Sequence, residues 1–523
     1  MLAIEILVVC LTFRDYGLGW DDFTHSQYGD LLLSLYKSGF TDRRAFSFVN
    51  LFYYGGGYDM ASALAAKVMP FTLFETRRLV GGLIGIVGLA ATWRIGRRLG
   101  GPVAGLIALV LLATCPLYDG NMYINAKDGP FATAMTVLLL AIVRALEEYP
   151  APSRRTVVLM GVGIGLAFGT RVLAAVALFS AVVALLTIVV EDMRRGTREV
   201  WHRLVRFIWL MLPAVLIGYL IMGLLWPWSV LQPLNPLYAS DYFSGFFEKP
   251  WRELFEGKLY AVPDMPARYL PVMFSIQLPE IMLALGFAGG ALALVAGLRE
   301  RLPINKSGAL FAVVMAAFFP VLLAMAAHPA LYNGLRHFVF VVPPFAVLGG
   351  LAGAAAFDWL RQRGPQWTAG GVAVLLIGIA LPVSDIVRLH PFQYSTFNWL
   401  EGGVAAAHKR YMIDYWGLAF RQTSEALKAK LAAMHLEPPP GRRWTVEVCG
   451  PQSSAQVELG PQFETIWDRK SADFAMMLGT YYCRDKIAAP ILVEVRREGV
   501  LYGRVFDIRG MNRPTLLTEP PPS

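Results

Sequence analysis

Long apolar runs alternate with short polar breaks through most of the chain. They recur at about 78–93, 102–117, 130–146, 157–169, 172–190, 207–226, 279–297, 308–327, 337–357 and 367–386, with a shorter one at 1–13. A helix needs about 20 such residues to cross ~30 Å of hydrocarbon. The pattern predicts an α-helical polytopic membrane protein with about eleven transmembrane helices. The first run is too short to span alone, and it lacks the basic start and small-residue cleavage site of a signal peptide. That leaves either a start placed too late or a helix that begins within the membrane.

Three stretches break the rhythm. Residues 14–77 contain amphipathic pieces such as "YGDLLLSLYKSGF", which predict interfacial helices. Residues 227–278 are rich in Pro, Trp, Tyr and Phe, as a segment at a membrane surface would be. Beyond residue 388 the apolar runs give way to "RWTVEVCG", "PILVEVRR" and "VLYGRVFDIR", with a hairpin turn expected at Glu498-Gly499. The reading is a transmembrane domain over 1–388 and a small α/β or α+β domain over 389–523, ending in a disordered "TEPPPS" tail.

Composition agrees. Of 523 residues, 56 % are hydrophobic and 16 % charged, too little charge to cover a soluble globule of this size. The net charge of +9 does not imply nucleic acid, because the basic residues sit in short loops between apolar runs. With the N-terminus in the cytoplasm, the inner loops hold Arg94, Arg97 and Arg98; Arg154 and Arg155; Arg194 through Arg206; Arg299, Arg301 and Lys306; and Arg361 and Arg363. The long segments and the C-terminal domain then face outward. There Cys449 and Cys483 would meet an oxidising space where they can pair, the alternative being two free thiols. Cys10 and Cys115 lie in apolar runs and read as small hydrophobes.

The short outer loops carry almost no basic residues except Lys127, Arg171 and Arg336. With Asp21, Asp22 and His25 in "GLGWDDFTH", Asp128 beside Lys127, and His337 beside Arg336, they form four polar clusters on one side of the membrane. Each has an ordinary structural reading: an acidic helix cap, a capped helix with a snorkelling lysine, a snorkelling arginine, an interfacial anchor. Their gathering on one face suits a different task. Bases there can hold an anionic lipid phosphate while an acid takes a proton from an incoming hydroxyl.

These stretches resemble the polyprenyl-phosphate-dependent glycosyltransferases of the C-type membrane fold. Within these they look like the bacterial branch related to protein O-mannosyltransferases and the lipid A aminoarabinose transferase. The likeness rests on "GLGWDD", "ETRRLVGGLIG", "NAKDGPFA", "YNGLRHFVFVVPPFAVL", and "HPFQYSTFNWLEGG" followed by "IDYWGLAFRQ", and it covers about 14–425. It implies Asp21 as catalytic base, with Asp22 where the family usually has Glu. It implies Lys127 and Arg336 on the donor phosphate, Asp128 orienting Lys127, His337 supporting the pocket, and Arg171 as a further phosphate contact. The implied partners are a polyprenyl-phosphate sugar, undecaprenyl in a bacterium, and a lipid, glycan or protein acceptor at the outer face of the cytoplasmic membrane. Asp21, Asp22 and His25 carry donors that a divalent ion could use, and this reading requires none. The rival reading is a lipid or solute transporter or flippase, which would place its charges near the midplane of broken helices.

Overall fold

The computed structural model describes residues 1–244, 251–298, 302–467, 472–483 and 489–511. Arg299, Arg301 and the "TEPPPS" tail lie outside the described residues.

The chain opens with α1 (Leu2–Thr12), then α2 (Asp22–Lys37) and α3 (Gly57–Ala65) in the first long polar segment. Next comes α4 (Leu73–Ala113), which reverses direction at Gly101, where φ is 83° and Pro102 follows. Glycine adopts that left-handed backbone without strain, and proline suits the first turn of the returning limb. The two limbs then pack so closely that a Cβ on Gly96 would lie 3.1 Å from the Ala104 carbonyl. The chain continues through α5 (Pro116–Ile124), α6 (Asp128–Glu147), α7 (Arg154–Phe168), α8 (Ala175–Arg194), α9 (Val200–Leu225) and α10 (Asn235–Ser244). The second polar segment adds a hairpin, β1 (Arg252–Phe255) and β2 (Lys258–Ala261), and α11 (Tyr269–Gln277). Then follow α12 (Glu280–Leu298), α13 (Ile304–Ala327), α14 (Val342–Arg363) and α15 (Pro365–Leu389).

Eight helical stretches among the described residues are long and apolar enough to cross a membrane. The expectation of eleven counted three more. Helix α1 has 11 residues, α7 has 15, and the two limbs of α4 on either side of Gly101 count as one among the eight. Helix α6 and the stretch Arg336–Arg363 run through the middle of the protein, with 89 % of their most apolar windows buried. The corresponding windows of α9 and α15 are only 11 % buried, so those helices offer most of their apolar surface to lipid. Small residues let the central helices touch. A Cβ on Gly350 of α14 would lie 2.3 Å from the Ala104 carbonyl, and one on Gly289 of α12 only 1.9 Å from that of Leu348.

Both ends of the bundle carry paired charges. At one end Arg98 pairs with Glu147, and Asn305 bonds the carbonyls of Glu147 and Tyr149. At the other, Lys127, Arg171 and Arg336 stand at the starts of α6, of the helical stretch leading into α8, and of the stretch leading into α14.

After α15 come α16 (Gly403–Ala407), α17 (Phe420–Ala433), β3 (Trp444–Cys449), α18 (Gln452–Leu459), β4 (Phe463–Ile466), β5 (Phe474–Leu478), β6 (Ile491–Arg497) and β7 (Val500–Asp507). The sheet order is β4-β3-β5-β7-β6, parallel among β3, β4 and β5 and antiparallel at β7 and β6. The hairpin turn at Glu498-Gly499 forms as expected, with both residues at positive φ. Cys449, at the end of β3, and Cys483, just after β5, are joined by a disulfide.

Candidate active site

The two adjacent acids of "GWDD" face different surroundings. Asp21 sits at the N-cap of α2 with 38 % of its side chain accessible, and Lys127 Nζ lies 3.2 Å from its Oδ2. Burial alone would raise this carboxyl. The charges of Lys127, His25 and Arg336 outweigh it and hold Asp21 well below the usual carboxylate range. Asp22 is buried. Both its oxygens receive the Arg78 guanidinium, at 2.9 and 2.6 Å, and the Gly19 amide donates to Oδ2 at 2.7 Å. That bidentate fork leaves Asp22 committed to holding the loop.

His25 does not join these acids in a ligand set. Its Nδ1 is 2.6 Å from Asp59 Oδ2, and Arg77 donates to the other Asp59 oxygen at 2.7 Å. Among the described residues no three His, Cys, Asp or Glu side chains converge as metal ligands. Asp22 and His25 are instead tied to arginine-bearing networks of the scaffold.

The entrance to α6 corrects two expectations. Asp128 was expected to cap the helix and to orient Lys127. The cap comes from Asn125, whose Oδ1 accepts the amides of Lys127 at 3.0 Å and Asp128 at 2.7 Å. An Asx turn of this kind satisfies amides that the helix leaves unpaired. Asn125 Nδ2 also donates to Asp128 Oδ2 at 2.7 Å. The Asp128 carboxylate then pairs with Arg171 at 2.5 Å and lies 3.9 Å from the Arg336 guanidinium. It therefore orders the two arginines, while Lys127 turns to Asp21.

Aromatic rings fill the space between the cations. The Tyr54 ring lies 4.8 Å from Lys127 Nζ and 5.7 Å from the Arg171 guanidinium carbon. Arg336 is sandwiched near two rings, Tyr332 at 4.8 Å and Trp416 at 4.7 Å, and donates through Nε to His337 Nε2 at 3.1 Å. Cation–π contacts of this sort favour a guanidinium where water is scarce. The sequence reading did not single out Tyr54, Tyr332 or Trp416. The signal for Tyr54 was the glycine run after it. A Cβ on Gly55 would fall 1.6 Å from the Gly169 carbonyl, so only glycine lets Tyr54 approach the loop that carries Arg171.

Each cation is held by a different part of the chain. Three successive amides ahead of Arg336 are anchored to the second polar segment. Asn333 donates to Glu253 Oε1 at 3.0 Å, Gly334 to the Tyr269 hydroxyl at 2.7 Å, and Leu335 to Gln277 Oε1 at 2.9 Å. Glu253 is fully buried, and burial pushes its carboxyl up to about 8. In its protonated form it carries no charge to compete for Arg336.

An apolar cleft lies deeper among the helices that begin at these cations. It is lined by Met135 and Leu139 of α6, Val176 of α8, Ala316 of α13, and Phe340 and Pro344 on the stretch that Arg336 starts. Met135 lies about 12 Å along its helix from Lys127 at ~1.5 Å per residue, and Pro344 about 14 Å from Arg336, because Arg336–Val341 is a 3-10 stretch that rises ~2.0 Å per residue. The elements that present the three cations are therefore also walls of the cleft.

Residues 60–219, which include Lys127, Asp128 and Arg171, match the family model described as dolichyl-phosphate-mannose-protein mannosyltransferase. No curated protein matches the chain. The structure is similar to that of ArnT from Cupriavidus metallidurans bound to undecaprenyl phosphate, with a TM-score of 0.50, 16 % identity, and coverage of 99 % of this chain and 98 % of that one. It is similar also to the Archaeoglobus fulgidus oligosaccharyltransferase in its apo form, with a TM-score of 0.51, 14 % identity, and coverage of 90 % of this chain and 64 % of that one. At these identities the likeness is one of fold. Residues 60–219 match the mannosyltransferase family model, and the chain as a whole shares the fold of ArnT and of the Archaeoglobus oligosaccharyltransferase.

Proposed function

We propose that the protein moves a sugar from a polyprenyl-phosphate donor to an acceptor hydroxyl at the outer face of a bacterial cytoplasmic membrane. The observation that carries this reading is the meeting of Lys127, Arg171 and Arg336 around Asp128 and Tyr54, at the starts of helical elements that further along line an apolar cleft. A phosphate with a long isoprenoid tail has the two chemistries that such a place offers. The match of residues 60–219 to a family acting with dolichyl-phosphate-mannose supports the same donor class. The disulfide supports an oxidising, extracytoplasmic side for the C-terminal domain.

On this reading each group has a role. Donor phosphate engages Lys127, Arg171 and Arg336, and the tail lies in the cleft. Lys127 turns from Asp21 to the phosphate, and the freed carboxylate takes the proton of the acceptor hydroxyl. The acceptor oxygen bonds to the anomeric carbon from the face opposite the phosphate, and the bond from that carbon to the phosphate oxygen breaks. Its electron pair leaves on polyprenyl phosphate, and the configuration inverts. The three cations stabilise the charge as it grows on the leaving group. Asp22 holds the loop through Arg78, and His337 supports Arg336. The acceptor is a lipid, glycan or protein hydroxyl.

The test is sugar transfer from synthetic polyprenyl-phosphate sugars by the purified full chain. Asp21→Asn should abolish turnover and Lys127→Ala should lower it by roughly 10²–10³, neither lowering protein levels. Near-normal turnover in both would sink this assignment of the site.

A further inference from the structure

The loop that delivers Asp21 is held from above by the C-terminal domain. Ser454 Oγ donates to the Gly19 carbonyl at 2.7 Å, and the Leu18 amide donates to Glu458 Oε1 at 3.1 Å. Ser454 and Glu458 stand at i and i+4 on α18, so one face of that helix meets both groups. Ser454 is buried. The other side of α18 is tied to its own sheet, where Gln456 bonds the Phe463 carbonyl and the Thr465 amide.

A second strap closes on the same loop. The Trp20 amide donates to the Trp416 carbonyl at 3.1 Å. Gly17 lies so close to the strap that a Cβ there would be 2.2 Å from the Leu418 carbonyl. The strap is itself locked by Asp414, which accepts the amides of Gly417, Leu418 and Ala419 and the Tyr394 hydroxyl. With Arg78 holding the Gly17 carbonyl and Asp22, the turn from Gly17 to Trp20 has partners on both sides. Asp21 follows directly.

We propose that Ser454 and Glu458 are positioning residues for the acid at Asp21, so that the C-terminal domain sets the geometry of the reaction without touching the donor. The inference rests on the glycosyltransferase reading of the site. The lipid phosphate is bound by Lys127, Arg171 and Arg336, which stand on other elements. Loosening the clamp therefore lowers the rate of the chemical step and leaves donor affinity alone. The effect tracks the acceptor oxygen at position 458 rather than its charge, because the bond runs from a backbone amide.

The experiment uses the full chain in detergent with a synthetic polyprenyl-phosphate sugar. It compares Ser454→Ala/Glu458→Ala with Ser454→Ala, Glu458→Ala and Glu458→Gln. The account expects kcat to fall on the order of tenfold in the double variant, with KM for the donor within about twofold and the thermal midpoint unchanged. Glu458→Gln, which keeps an acceptor oxygen, should stay near wild type. Hydrogen exchange of the peptide spanning residues 14–23 should speed up by about tenfold in the double variant and stay slow in Glu458→Gln. Wild-type kcat in the double variant would overturn the proposal, as would a fall in kcat with unchanged exchange of that peptide. Should the wild-type chain transfer no sugar at all, the glycosyltransferase reading fails, and exchange at 14–23 still decides whether α18 clamps the loop.

Discussion

Lys127 Nζ lies 3.2 Å from Asp21 Oδ2, so the group proposed for the donor phosphate is paired with the group proposed for the acceptor proton. An ion pair in this place lowers the basicity of Asp21 until an anion draws the lysine away. In Lys127→Ala the carboxyl loses the strongest of the influences that lower it, and its titration moves up toward the ordinary range near 4. Residual kcat/KM of that variant should show its acid limb at higher pH than wild type. Its magnitude should drop by roughly 10²–10³, as when one donor to a developing anion is removed. A pH–rate profile on membranes checks both.

The neighbouring acids should separate cleanly. Asp22→Ala leaves the buried Arg78 guanidinium with backbone carbonyls but no carboxylate to balance its charge, which costs about 3–5 kcal/mol of stability. Asp21→Asn removes only an accessible ion pair and should leave the thermal midpoint nearly unchanged while ending transfer. Thermal unfolding of the two purified variants, beside their activities, tests this contrast.

Arg336 should not tolerate lysine. Its guanidinium lies near two rings and donates from separate nitrogens to His337 and Tyr332, a spread of donors that an ammonium does not reproduce. Arg336→Lys should lose at least about tenfold in kcat/KM for the donor, or ~1.4 kcal/mol of transition-state binding. Initial rates against donor concentration give the answer.

The architecture was largely legible from hydropathy because lipid leaves little choice. A chain must hide its backbone polar groups there, and long apolar helices do so. The site was legible only as a set of charges on one face. Which acid pairs with which base depends on side-chain reach between elements far apart in sequence, such as Asp128 with Arg171. Asn125 as the cap of α6 was missed because Asp128 has equal claim by residue type. Strand β5 was missed because "FAMML" is buried on both faces and shows no alternation. The role of Glu253 was invisible, since nothing local marks a glutamate that is buried by packing against Asn333.

Glu253 gives a pH prediction. Its carboxyl is raised from 4.5 to about 8 in the folded protein, so the native state holds an extra proton between those values. Stability from this group is fully present below about 4.5 and falls as pH rises through about 8, because the ionised form is disfavoured in the native state. Glu253→Gln mimics the protonated acid and should flatten that decline. Thermal midpoints of wild type and variant at pH 5, 6.5 and 8 would show it.

Chemistry at the sugar–phosphate bond separates a transferase from a transporter of the intact lipid. The purified chain is placed in proteoliposomes with a polyprenyl-phosphate sugar labelled separately in its lipid and in its sugar, and with envelope extract as acceptor. The account predicts that the labels part. Free polyprenyl phosphate should appear as sugar moves to acceptor, in equal amounts, and neither should appear with Asp21→Asn. If the two labels instead stay together and merely change leaflets, the protein is a transporter of the intact lipid and the account is wrong.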